Sequence, residues 1–310
     1  MMTIEMRKII GTLLFIFLLA GCDTSDKAEM TPVSLPPASA PVSFESAELS
    51  PNPTVEAETT SASVIHADGA TIKERFSPPD GFTRTESERG SFEEFLRELP
   101  LKPDGSAVKY FNGSEKTRDV YLAVVDYTLG DRDLQQCADA VMRLRAEYFY
   151  SVGQLNKIHF NFVNGFTAYF SKWAEGNGVA VKGNNASWVK NSKNNDSYES
   201  FQKYLDIVYA YANTYSLENE LISKDVSALA IGDVFIIGGF PGHCVIVVDM
   251  AVNMISGEKV FMLAQSFMPA QDIHILKGDH EDSPWYSANI GNRLYTPEWT
   301  FDRTQLKTWP

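Results

Sequence analysis

Residues 72–310 are predicted to form one α+β domain, an antiparallel sheet packed against a cysteine-bearing helix, with a mixed insertion at about 156–225. Three stretches carry that prediction. Residues 233–237 and 243–250 are β-branched, apolar runs joined by Gly238-Gly239-Phe240-Pro241-Gly242, the pattern of two neighbouring strands and a tight connection. Residues 259–266, Lys-Val-Phe-Met-Leu-Ala-Gln-Ser, read as the strand that follows. Residues 133–148 place Leu134, Cys137, Val141, Leu144 and Tyr148 at alternating steps of three and four, one apolar stripe of a helix.

The chain opens on a leader. Arg7 and Lys8 precede an apolar run from Ile9 to Leu18, and Leu19-Ala20-Gly21-Cys22 follows. A charged start, a short apolar core and small residues before the cut describe a secretory signal over residues 1–21. The run is shorter than the roughly 20 apolar residues that span a bilayer. Leu19-Ala20-Gly21-Cys22 resembles a bacterial lipobox. That resemblance implies that Cys22 carries lipid and anchors the protein to a membrane of the cell envelope, on its periplasmic or outer-surface face.

Residues 22–71 are expected to be a disordered tether. Pro, Ser, Ala, Thr and Glu dominate residues 31–62, and such a composition buries too little surface to offset its chain entropy. The formal net charge is −13. Between Cys22 and Ala70 eight acids stand against one base, Lys27, so about half of that excess lies in the tether. Without a basic patch, binding to nucleic acid is not expected.

Three cysteines are present. With Cys22 lipidated, Cys137 and Cys244 remain, and a disulfide between them is one reading in an oxidising compartment. Cys244 follows His243 on a strand, however, so their side chains point to opposite faces. A Cys137 packed beside His243 is then expected to miss the Cys244 sulfur and to stay free.

Asp133 and Gln136 have the spacing of a capping-box variant, which starts the helix near Asp133 and puts Cys137 in its first turn, facing inward. Arg143 and Glu147 read as an i,i+4 pair on the solvent side. A cysteine so placed is either a small buried hydrophobe or a tuned thiolate, because the unsatisfied N–H groups at a helix start favour negative charge. His243, alone on an apolar strand at a glycine-rich mouth, draws Cys137 toward the second reading.

The order of a cysteine at a helix start, Gly232-Asp233-Val234-Phe235, then Gly242-His243-Cys244-Val245-Ile246-Val247, resembles the NlpC-type cell-wall peptidases and the related CHAP amidases. The resemblance implies a papain-like core with Cys137 as nucleophile, His243 as base, and a polar residue on the next strand orienting the imidazole. Gln265, at what reads as the exposed polar end of that strand, takes this last position, with Ser266 on the opposite face in reserve. The long separation from Cys137 to His243 implies an insertion. Residues 134–139, 239–243, 263–271 and 283–286 are also similar to an uncharacterised-domain family of Gram-negative envelope proteins, numbered 4846.

Within the insertion, Ile158 to Phe166 alternates like a strand with an Asn164-Gly165 turn, and His159 reads as a surface or sheet histidine. Trp173 and Glu175 could stack and bond a sugar, although packing is the simpler use of Trp173. Residues 176–197, rich in Gly, Asn, Lys and Ser, read as a mobile loop, and residues 200–215 as a helix. Beyond it, His274 on a short strand rivals His243. His280 among Asp279, Glu281 and Asp282 has the look of a solvated loop, so no metal is expected. No dinucleotide or Walker glycine pattern occurs and no cofactor is expected. Trp285, Tyr286, Tyr295, Trp299, Phe301 and Trp309 suit a tail that wraps the core.

The expected function is a cell-envelope cysteine hydrolase of peptide or amide bonds, with peptidoglycan a candidate substrate and Cys137, His243 and Gln265 as its catalytic residues. Its partners would be the membrane, through the N-terminal lipid, and a cell-wall peptide or glycan. A non-catalytic envelope lipoprotein using the same core as a binding or scaffolding module is the alternative. A sugar-binding module built on Trp173 and the C-terminal aromatics is the third class.

Overall fold

The computed structural model describes residues 64–310; the leader, Cys22 and most of the expected tether lie outside the described residues. Apolar, β-branched sequence from His243 to Ala251 makes the strand His243–Asn253, buried along all but its last two residues. Val234–Ile237 pairs with it on one side and Lys259–Gln265 on the other, both antiparallel. Beyond Lys259–Gln265 the sheet continues through His274–Leu276 to Tyr121–Val124, and beyond Val234–Ile237 through Leu306–Thr308 to Ile222–Ser223. Phe82–Arg84 joins the far end of the central strand, and Trp285–Ser287 the first half of Lys259–Gln265. Nine strands are thus joined among the described residues.

The predicted α+β class with an antiparallel sheet holds, and its three central strands fall where their apolar runs placed them. An antiparallel sheet with one wet face alternates apolar and polar residues. Here Val245, Ile246, Val247 and Val248 are consecutive and buried, because both faces are covered. The Cys137–Ser151 helix packs on the central strand. Aromatic residues of the C-terminal segment cover the other side, where Phe301 lies 6.1 Å from Phe235.

The helix begins later than its capping pattern suggested. It spans Cys137–Ser151 with Gln136 as N-cap, and the Gln136 N–H donates to the Asp139 carboxylate at 2.9 Å. Two overlapping spacings competed, and the second won because Asp133 is used elsewhere. Its carboxylate accepts from the Ala270 N–H at 2.7 Å, tying the helix approach to the loop after Lys259–Gln265. Arg143 and Glu147 are not on the solvent side: both are buried. The insertion covers that face, with the Tyr198 hydroxyl donating to Glu147 at 2.9 Å.

Residues 64–71, assigned to the tether, belong to the fold. His66 N–H donates to Arg75 O at 2.7 Å, and the buried Arg75 guanidinium donates to Gly69 O at 2.7 Å. Its short length after the Pro- and Ser-rich stretch hid this segment, although Val64 and Ile65 pack against the core. At the far end of the central strand, Asp249 is fully buried and accepts from Arg84 at 2.7 Å and Arg97 at 2.6 Å. That triad pins the N-terminal part of the domain to the sheet.

Residues 156–225, read as an insertion, hold both strands and helices. The hairpins His159–Asn161 with Thr167–Tyr169 and Asn177–Lys182 with Asn185–Lys190 pack with the helices Phe170–Ala174, Tyr198–Tyr211 and Thr214–Glu220. The stretch read as a mobile loop therefore holds a hairpin, whose backbone pairing needs no strong apolar pattern. Trp173 is buried and its indole N–H donates to Ser200 Oγ at 2.9 Å, which removes it as a sugar platform. His159 is exposed, as read.

Glu220 accepts from the Asn161 N–H, and burial raises its carboxyl from 4.5 to about 7. Between those values the folded state keeps a proton that the unfolded chain releases, so stability falls as pH rises through that window. Glu220→Gln is expected to flatten that slope and to raise stability at about pH 8 by the order of 1–3 kcal/mol. Urea unfolding at about pH 5 and pH 8 checks it.

Candidate active site

Three elements meet at one end of the sheet. The central strand starts with His243, its antiparallel neighbour ends with Gln265, and the long helix starts with Cys137. Gly242 brings His243 in. A Cβ there would lie 2.4 Å from Thr214 Oγ1 and 2.5 Å from Gly239 O, so the strand mouth closes this tightly only around glycine.

His243 Nε2 and Gln265 Oε1 are 2.8 Å apart. Two further partners decide which way the Gln265 amide points. Its Nε2 donates to the Glu298 carboxylate at 2.7 Å and lies 3.3 Å from His274 Nε2. Glu298 has no proton to give while it is paired with Lys116 at 2.8 Å. His274 Nδ1 lies 2.9 Å from the Asp272 carbonyl, which only accepts, so its proton sits on Nδ1 and Nε2 is an acceptor. Burial also lowers His274 to about 4, keeping the ring neutral at neutral pH. The amide NH2 is thereby taken by two acceptors, and its oxygen must face His243. His243 then carries its proton on Nε2, leaving Nδ1 as the free base.

Cys137 meets this imidazole. Its thiol is held well below the usual thiol range, first by the Cys244 thiol beside it, then by hydrogen bonding and charge from His243 and by the Ala138 N–H, against the opposing effect of burial. Cys244 moves the other way: burial, and then the negative charge on Cys137, push its thiol well above the ordinary value. Of the two adjacent thiols, Cys137 is the one whose surroundings favour the thiolate. Both are free thiols.

Cys137, His243 and Gln265 are therefore together, with two corrections. Gln265 is not at an exposed strand end but buried at 1% exposure. Nor does strand alternation keep Cys244 away from Cys137. The alternation itself is intact, but the helix starts beside the strand's first two residues, and a sulfur at the strand mouth touches one from each face. Ser266 faces the helix approach instead, donating to Gln271 O at 2.8 Å. His274 serves Gln265 rather than Cys137, so it is no rival base.

Glu298 and Lys116 escaped sequence reasoning. Glu298 lies between Pro297 and Trp299 in a segment without periodicity, and only a charged pair lost among many surface charges could have hinted at it. The site is closed. Cys137 is 6% exposed and His243 1%, and the rings of Phe267 at 4.7 Å, Trp299 at 5.2 Å and Phe301 at 5.9 Å surround the imidazole.

Among the described residues no helix is long and apolar enough to cross a membrane. The family model described as Domain of unknown function (4846) matches residues 72–308, and the chain belongs to that family. No curated protein and no solved structure matches it.

Proposed function

We propose that this member of the Domain of unknown function (4846) family is a lipid-anchored cysteine hydrolase of the cell envelope, acting on peptide or amide bonds such as those of peptidoglycan. One observation carries the reading: the line Glu298–Gln265–His243, whose two hydrogen bonds of 2.7 and 2.8 Å leave a free imidazole nitrogen beside a cysteine at a helix start. The papain-like resemblance of the NlpC and CHAP enzymes assigns the same roles to the same order of residues.

In this mechanism His243 Nδ1 takes the Cys137 proton and the thiolate attacks the carbonyl carbon. Orphan N–H groups of the first helical turn hold the oxyanion. His243 passes the proton to the leaving amine, then draws one from water as that water opens the thioester. Gln265 is a positioning residue that keeps the ring in the right tautomer, and Glu298 positions Gln265. The half-buried Phe267 and Trp299 would part to admit substrate.

The closed site favours a second reading, a non-catalytic envelope lipoprotein that uses this core for binding. Purified peptidoglycan and synthetic cell-wall peptides incubated with the full chain separate the two. The hydrolase reading expects new amide-cleavage products by mass spectrometry, absent with Cys137→Ala. Intact substrates together with a Cys137 that resists alkylation speak for the binding module.

A further inference from the structure

Cys244 has no part in the hydrolytic mechanism, yet its thiol touches the proposed nucleophile. Ala264 pairs with Ile246 on the central strand, and continuing that register sets Ser266 across from Cys244. Ser266 Oγ lies 3.3 Å from Gln135 O, two residues before Cys137. The approach to the helix therefore crosses the face on which Cys244 lies. It brings the Cys137 thiol into hydrogen-bond contact with the Cys244 thiol, and the two are not bridged. Solvent reaches the pair at Cys137, which is 6% exposed against 0% for Cys244.

Hydroperoxides are small, and they oxidise a cysteine in its thiolate form, which a helix start favours. The sulfenic acid that results condenses with a thiol it meets. At this strand mouth the thiol in contact is Cys244. We propose that Cys137 and Cys244 are a reversible oxidation site, which a hydroperoxide converts into an intramolecular disulfide tying the helix start to the central strand.

In the first step the Cys137 thiolate attacks a peroxide oxygen and the O–O bond breaks. The other oxygen leaves with the electron pair, takes up a proton and departs as alcohol or water. Cys137, now a sulfenic acid, has lost two electrons. In the second step the Cys244 sulfur attacks the Cys137 sulfur and the S–O bond breaks, with the hydroxyl leaving as water together with the Cys244 proton. Burial first, and then the hydrogen bond and charge of Cys137, push the Cys244 thiol up. A neutral sulfenic acid removes that charge, so the first step readies the second. Oxidation to sulfinic acid instead needs another peroxide to enter a closed site, whereas Cys244 is already in contact. On the hydrolase reading, which neither step requires, the bridge withdraws the nucleophile until a dithiol reduces it.

Peptide mapping of the full chain after treatment with a small molar excess of hydrogen peroxide tests this. Remaining thiols are blocked in urea and the chain is digested without reductant before mass spectrometry. The peptides bearing Cys137 and Cys244 should appear joined, two hydrogens lighter than their sum, and should separate on treatment with dithiothreitol. Cys244→Ala should instead carry sulfinic and sulfonic acid at Cys137. In Cys137→Ser the oxidation of Cys244 should slow by about tenfold or more, since the exposed partner is gone. Should either variant fail to fold, the wild-type map still decides. Sulfinic acid on wild-type Cys137 beside an intact Cys244 thiol, bridges that join two chains, or survival of both thiols would each overturn the proposal. Peptide-bond cleavage is not part of the readout. A linked pair in a chain that hydrolyses nothing upholds the oxidation site and leaves the hydrolase reading to fall alone.

Discussion

His243→Ala is expected to lower any Cys137-dependent hydrolysis by about 10²–10⁴-fold, the usual contribution of a positioned general base. Alkylation of Cys137 by iodoacetamide at neutral pH should slow as well, because the imidazole is one of the groups holding that thiol down. The Cys244 thiol also holds Cys137 down, so Cys244→Ala should slow alkylation too while leaving the base in place. Gln265→Leu makes a sharper probe of geometry. It removes the acceptor 2.8 Å from Nε2 and frees the ring to turn, so turnover should fall more than alkylation. Equal alkylation of wild type and His243→Ala would mean that the imidazole does not sense the sulfur.

Asp249→Ala is expected to cost about 3–5 kcal/mol of stability, the toll of leaving buried cations without their counter-charge. Arg97 is 4% exposed and donates to Asp249 at 2.6 Å, with further bonds to Thr85 O at 2.7 Å and Met250 O at 3.0 Å. Arg84 shares the same carboxylate. Removing the carboxylate strands two guanidinium groups, whereas Arg97→Met together with Asp249→Leu takes away most of the charge and should cost less. Urea unfolding at neutral pH measures both. A loss below about 1 kcal/mol for Asp249→Ala would place this triad among ordinary surface pairs.

The strands were legible because Val, Ile and Phe crowd residues 234–237 and 243–250, and burial demands such runs wherever they lie in the chain. His243 stood out for the opposite reason, as a polar ring on one of those runs. Gln265 was found by position and misjudged in environment, since a strand end looks exposed until Phe267 and Trp299 fold over it. The partners that fix its amide were invisible. Glu298, Lys116 and His274 come from three distant segments, and their meeting depends on sheet order, which no local pattern encodes. Asp249 was hidden within a strand for the same reason, its two arginines lying far upstream. Cys244 shows how a correct local rule misleads: alternation fixed its face, and the position of a helix end decided its contacts.

The pairing of Cys137 with His243 is tested most directly by the rate of Cys137 alkylation against pH in the wild-type chain, followed at that residue by mass spectrometry. A midpoint well below the ordinary thiol range is expected, with Cys244 remaining unlabelled throughout. A midpoint at or above the ordinary thiol value of about 8.5 would contradict it. Cys137 would then be a buried, inert side chain and the hydrolase reading would fall.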